Sequence, residues 1–198
     1  MLEGNVAPTS DKPEYQALER AHECLSRGDY ADALRSFAAL ARQGVPQANV
    51  YFGWMYQKGL GIKVDLEMAE KCYRPAASTG LVLGQYYLAS LLRLKGSLSE
   101  ALEWYEKAAA QQHSSANYWA SVMYREGDGT KPDKTKSERY LMTAASLGHC
   151  FAERDLARDS LRSAKTIIES LRALFSYVRA VIRGSIAAVR NPDDMQLR

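Results

Sequence analysis

Residues 29–44 read DYADALRSFAALARQG, and the pattern returns as DLEMAEKCYRPAASTG at 65–80, SLSEALEWYEKAAAQQ at 97–112 and DKTKSERYLMTAASLG at 133–148. Counted at Ala33, Ala69, Ala101 and Ser137, the shifts are 36, 32 and 36 residues. Small pairs keep step at Ala76-Ala77, Ala108-Ala109 and Ala144-Ala145, and the units close at Gly44, Gly80, Gln112 and Gly148. A period in the thirties marks stacked helical hairpins, each too small to bury its own apolar face.

Working outward, a second periodic segment precedes three of these: QANVYFGWMYQKG at 47–59, LGQYYLASLLRLK at 83–95 and SANYWASVMYREG at 115–127. Gly53, Ala89 and Ser121 stand three residues before Tyr56, Leu92 and Tyr124, which puts both on one helical face. The small residue lets a neighbouring helix approach, and the larger one fills the groove beside it. Each unit therefore reads as two helices.

The boundaries carry their own chemistry. Ser97-Leu98-Ser99-Glu100 has the form of a capping box, and Asp65 and Asp133 are expected N-caps. Pro46 suits a first helical turn, while Gly44, Gly80 and Gly148 suit helix C-termini. Pro75 falls inside the helix expected from Asp65 to Ser78 and predicts a kink, since a mid-helix proline costs about 3 kcal/mol.

The run Ala48, Gly53, Met55-Tyr56, Gly59, Gly61-Ile62, Asp65, Ala69, Tyr73, Ala76-Ala77, Gly80 resembles a Sel1-like repeat. Residues 116–148 repeat it with Met123, Tyr124, Gly127, Gly129, Asp133, Tyr140 and Ala144-Ala145. The loops GLGIKVD and GDGTKPD between the helices are what separate Sel1-like units from tetratricopeptide units. Units 13–44 and 82–112 lack the loop and resemble tetratricopeptides, with Gly28-Asp29-Tyr30 in the first. The resemblance covers about residues 13–158. It implies an all-α, right-handed α-solenoid and a role in binding proteins, without naming a partner.

Composition agrees with a folded chain: 46% of its 198 residues are hydrophobic and 25% charged. Of 26 basic and 23 acidic residues, seven and four lie from Asp159 onward, so the first 158 residues are neutral and the net +3 resides in the last forty. Such a charge is too small to argue for nucleic acid. Cys24, Cys72 and Cys150 are far apart and form neither a disulfide framework nor a zinc site. His22, His113 and His149 fall in different units without metal-ligand spacing, and read as structural or surface histidines. Gly59-Leu60-Gly61 and Gly127-Asp128-Gly129 join helices rather than following a strand, so they read as turns and not phosphate loops. No metal, cofactor or catalytic group is expected, and the chain reads as no enzyme. Lacking a signal-like start or an 18-residue apolar run, it is assigned to the cytoplasm, with peripheral attachment to the inner membrane left open.

Two regions remain as candidate sites. In the resembled families the first helix of each pair lines a concave groove. By register this places Trp54, Gln57, Tyr86, Arg93, Tyr118 and Arg125 there, a ladder of aromatic and cationic groups suited to an acidic peptide or helix. The alternative is that the tyrosines pack between hairpins and the arginines are solvated. The second region, from Leu161 to Val189, reads as one long amphipathic helix whose docking residues are Arg172, Phe175, Val178, Arg179, Ile182 and Arg183. Three readings of it stay open: a cap on the array, a helix that pairs with a second copy or a partner, and a helix lying on an anionic membrane.

The domain reading is a flexible N-terminus at 1–12, repeats at 13–158 in units 13–44, 46–80, 82–112 and 114–148, a capping or docking helix at 159–190, and a flexible tail at 191–198. The functional reading is a non-catalytic adaptor that holds a partner segment in the groove. Its alternative is a membrane-associated accessory subunit, recruited by the basic helix to an envelope or polysaccharide-related enzyme or transporter.

Overall fold

A computed structural model describes the chain from Pro13 to Arg190, with side chains as far as Ile186. The flexible ends expected at 1–12 and 191–198 lie outside the described residues. Among these residues the fold is all-α, in ten helices: α1 Pro13–Arg27, α2 Tyr30–Arg42, α3 Pro46–Lys58, α4 Leu66–Ser78, α5 Val82–Leu94, α6 Leu98–Ala110, α7 Ser114–Glu126, α8 Lys134–Ser146, α9 Cys150–Ser163 and α10 Ile167–Arg190. It is a repeat solenoid in class. Two compact units divide between Leu88 and Ala89, inside α5.

In the first unit, small residues let backbones meet. A Cβ placed on Gly53 of α3 would lie 2.8 Å from the Tyr73 ring of α4, and one on Gly84 of α5 would lie 2.8 Å from the backbone of Ala76 and Ala77. Tyr73 is wholly buried, and its hydroxyl donates to Gln57 at 2.8 Å. Burial of such a ring contributes about 2–3 kcal/mol, provided its polar tip finds a partner. Phe37, four residues after Ala33, is the buried ring at the same place in α2.

The second unit repeats the device with different atoms. Tyr105 of α6 is fully buried and shares a 2.9 Å hydrogen bond with Ser90 of α5. The next unit substitutes Leu141 at that place, and Ser137 of α8 donates to the Ser121 carbonyl of α7 at 2.9 Å. Glu106 of α6 accepts from both Tyr124 of α7 at 2.7 Å and Tyr140 of α8 at 3.1 Å. One carboxylate thus ties three helices together.

The loops that distinguish two of the repeats have a packing role. The Asp65 amide donates to the Tyr56 carbonyl at 3.1 Å, and the Asp133 amide to the Tyr124 carbonyl at 2.9 Å, so each loop is closed across its base. The middle of the loop then presses on the preceding hairpin. A Cβ on Gly129 would sit 2.5 Å from the Leu98 carbonyl at the start of α6, and one on Gly61 would sit 2.8 Å from Tyr30 Cβ at the start of α2. Both glycines have positive φ, 73° and 69°. Ser99 adds a 2.9 Å hydrogen bond to the Gly129 carbonyl.

The capping expectations divide along the same line. Asp65 and Asp133 cap α4 and α8, accepting from the Met68 and Lys136 amides at 2.9 Å. The capping box at Ser97 does not form: its side chain makes no cap bond, and Glu100 accepts instead from the Trp104 indole at 3.3 Å. The tight link is the reason. Ser97's own amide already bonds the Leu92 carbonyl at 2.9 Å, finishing α5, and its ψ of 63° turns it out of the extended geometry that a cap needs. Asp29, in the other loop-free link, has the same dihedral pattern and likewise no cap bond. Pro75 sits in the last turn of α4, which continues past it to Ser78.

The single helix expected from Leu161 is instead interrupted. α9 runs through Asp159 to Ser163, and α10 begins at Ile167. Thr166 and Glu169 explain the break. The Thr166 hydroxyl accepts from the Glu169 amide at 3.2 Å, while the Glu169 carboxylate accepts from the Lys165 and Thr166 amides at 2.8 and 3.2 Å. That is a complete capping box, which starts a new helix. α10 then packs back on α9 through a seam of small residues: Ala173 and Ala180 are buried, and Ser170 and Gly184 are partly buried.

Replacing Gly129 by Ala is expected to lower unfolding stability by roughly 2–4 kcal/mol, from left-handed strain plus the clash with Leu98. Urea titration with an unchanged m-value checks it. Asp133→Ala is expected to cost about 1 kcal/mol, whereas Ser97→Ala changes stability by only a few tenths; equal losses for the two would contradict the capping geometry.

Candidate partner-binding face

The residues selected by helical register end in different environments. In the first unit, Trp54 is half-buried against the core around Phe37 and Leu40. Gln57 is held by the Tyr73 hydroxyl. Tyr86 is only 3% exposed and packs edge-on against Tyr87, whose ring stacks on Tyr73.

In the second unit, Tyr118 is 9% exposed. Its ring stacks on His149 at 4.5 Å, and its hydroxyl donates to Asp155 of α9 at 3.4 Å. Arg93 of α5 lies with its guanidinium 4.0 Å from the centre of the Trp119 ring of α7. Arg125, one turn beyond Val122 on α7, is exposed and paired with its neighbour Glu126 at 2.9 Å. Tyr86 and Tyr118 thus pack, whereas Arg125 is exposed and Arg93 and Trp119 are partly buried.

Trp119 is the residue that the register did not single out. It stands 32 residues after Tyr87, as Tyr118 stands after Tyr86, so the aromatic pair recurs and its second member carries the accessible ring. Asp155 was missed too. Its carboxylate is buried yet held by Arg154 at 3.2 Å and Arg158 at 3.5 Å, besides Tyr118. A buried carboxylate survives only when paired in this way. The network fixes α9 against α7.

Two of the three histidines are structural. His113 and His149 cap α7 and α9, each accepting through Nδ1 from the third amide beyond it, at 3.2 and 3.4 Å. An accepting Nδ1 must be unprotonated. Burial pushes the His149 pKa down to about 4, helped by His113 and opposed by Asp155. Burial also raises the thiols, Cys72 to about 11, and Cys150 upward despite neighbouring backbone amides. Neither cysteine is activated for nucleophilic chemistry. Among the described residues no cluster of three or more His, Cys, Asp or Glu could hold a metal ion, and no helix is long and apolar enough to cross a membrane.

The Sel1 repeat pattern matches residues 46–81, 82–113 and 114–149. It thereby includes the loop-free unit that resembles a tetratricopeptide by sequence. An uncharacterized protein of Neisseria meningitidis serogroup B is 33% identical over 99 residues, 50% of this chain and 21% of its own. Chitin synthase regulatory factor 3 of Schizosaccharomyces pombe is 25% identical over 174 residues, 78% of this chain and 18% of its own. This chain spans about a fifth of the length of these curated relatives. Among solved structures, a Sel1 repeat protein from Oxalobacter formigenes is similar with a TM-score of 0.71 and 26% identity, covering 85% of this chain and 68% of that one.

His149 gives a pH prediction. Its pKa is near 6.5 unfolded and about 4 folded, so its contribution is fully present above pH 6.5 and is lost as pH falls toward 4. The melting temperature of the wild type is expected to drop across that window. His149→Asn keeps a capping acceptor without the titration, and its melting temperature should fall less steeply over the same range.

Proposed function

Since this chain belongs to the Sel1 repeat family, we propose that it is a non-catalytic scaffold which grips an acidic protein segment on the first-helix face of its second unit. Proteins of the family are generally protein-interaction scaffolds, so the class of partner follows from the fold. The observation that supports this particular face is the Arg93–Trp119 pair, a guanidinium set over a partly buried indole with the exposed Arg125 on the same helix as the indole.

Trp and Arg are the residues that most often dominate binding energy, because a rigid ring offers large area and a guanidinium forms charge-assisted bonds. Stacking on Trp119 pre-orients the Arg93 guanidinium, reducing the entropy lost when a carboxylate arrives. Tyr118 serves below this surface, where its bond to Asp155 holds α7 and α9 in place. In the first unit Gln57 stands where Arg93 and Arg125 stand, with Trp54 one turn before it on α3. The S. pombe relative is by its name a regulatory factor, which supports a scaffold that acts through other proteins.

The test is affinity capture from the native host followed by mass spectrometry, with the full chain and the double variant Trp119→Ala, Arg125→Glu. Each change is expected to cost about 2 kcal/mol of binding, so a specific partner should be depleted at least about tenfold. Circular dichroism and melting confirm that the variant is folded. Identical captured proteins at identical yield would place the binding site elsewhere.

A further inference from the structure

α10 packs on α9 with its small-residue seam and turns its apolar stripe away. Ile167, Ile168, Leu171, Leu174, Phe175, Val178, Val181, Ile182 and Ile186 are 39–80% exposed. At 100° per residue they cover an arc of about 140° and run for about 28 Å. This is on the order of 800 Å² of apolar side chain, above the few hundred Å² that a monomer ordinarily shows. The stripe does not cap the repeats, because α9 lies against the opposite side of the helix.

The edges of the stripe are cationic. Arg172 and Arg179 line one edge, and neither has an acidic partner among the described residues. At the other edge a cavity of about 360 Å³ is lined by Arg154, Phe151, Val181 and Gly184. Arg154 lies over Phe151 and shares the one carboxylate of Asp155 with Arg158. The nearby acids are spoken for: Glu169 caps α10, and Glu153 is bonded by Arg183 at 2.9 Å.

We propose that this stripe is a docking surface for an anionic lipid membrane, with the apolar side chains in the acyl region and Arg172 and Arg179 among the phosphates. Charge decides against a second copy. Antiparallel pairing would set the Arg172–Arg179 edge against itself, and parallel pairing would set it against the edge that holds Arg154; neither supplies an acid. Chemistry decides against a protein groove. From Ile167 to Ile182 the arc offers no hydrogen-bonding group, whereas protein interfaces use about one hydrogen bond per 100–200 Å². The arc is also wider than a coiled-coil seam. A bilayer requires no hydrogen bonds from the helix and meets a broad stripe along its whole length, while arginines at the edges add attraction to anionic headgroups.

Flotation with vesicles tests this, using the full chain and phosphatidylcholine vesicles with or without about 30 mol % phosphatidylglycerol. The wild type is expected to float with the anionic vesicles in about 50 mM NaCl and to be released in about 500 mM, where screening shortens the electrostatic reach. Arg172→Glu plus Arg179→Glu should lower partitioning by at least about tenfold, and Phe175→Asp plus Ile182→Asp should abolish it. All four side chains are exposed, so helicity and melting temperature should stay unchanged, and light scattering should show a monomer without lipid. A wild type that stays unbound overturns the proposal; if it is then dimeric and Phe175→Asp plus Ile182→Asp makes it monomeric, the stripe is a self-association surface. Equal flotation by wild type and both variants also overturns it.

Discussion

The constraint on which this protein depends is that a two-helix unit of some thirty residues has no interior of its own. Its apolar faces become buried only if the next helix comes close, and approach is limited by what stands on the contact line. Gly53 under the Tyr73 ring and Gly84 against the Ala76–Ala77 backbone show the limit, with room for no further carbon. Around such contacts the large buried side chains can be few and repetitive: Phe37, Tyr73 and Tyr105, each four residues after a buried alanine. Each buried hydroxyl then needs a partner, which Gln57 and Ser90 supply.

The same economy explains the two kinds of link between helices. In the short links the chain spends the amide of Asp29 or Ser97 on finishing the first helix, so no cap bond is made for the second. In the long links the extra residues let Asp65 and Asp133 adopt extended backbone and cap properly. They also cover the start of a helix in the neighbouring hairpin, through Gly61 on Tyr30 and Gly129 on Leu98. The loop that marks these repeats in sequence is thus a packing element.

On such a frame the proposed binding side chains are ones that the packing covers only in part: in the second unit Arg93, Trp119 and Arg125, beside the buried Tyr118 and Asp155. A ladder read by register alone mixes the two layers, because neighbours on one helical face differ in depth according to which helix lies opposite. Trp119 was reachable from sequence as the second member of a recurring aromatic pair. Asp155 was not: Arg154 and Arg158 are its neighbours on α9, but its burial and its bond to Tyr118 of α7 come only with the fold.

Sequence by itself determined the repeat, its all-α character and most helix limits, including Pro46, Asp65 and Asp133, because periodicity and capping act within a few residues. It also contained the Thr166–Glu169 box that divides the last segment, a local signal outweighed by the longer amphipathic pattern spanning it. The tertiary structure alone decided burial and orientation. Tyr86 and Tyr118 became packing residues, Ser97 lost its capping role, and α10 turned its small residues inward and its isoleucines, leucines and phenylalanine outward. The physical reason is the same in each case: whether a side chain is covered, or an amide already bonded, depends on atoms that arrive from another helix or an adjoining link, and no short stretch of sequence contains them.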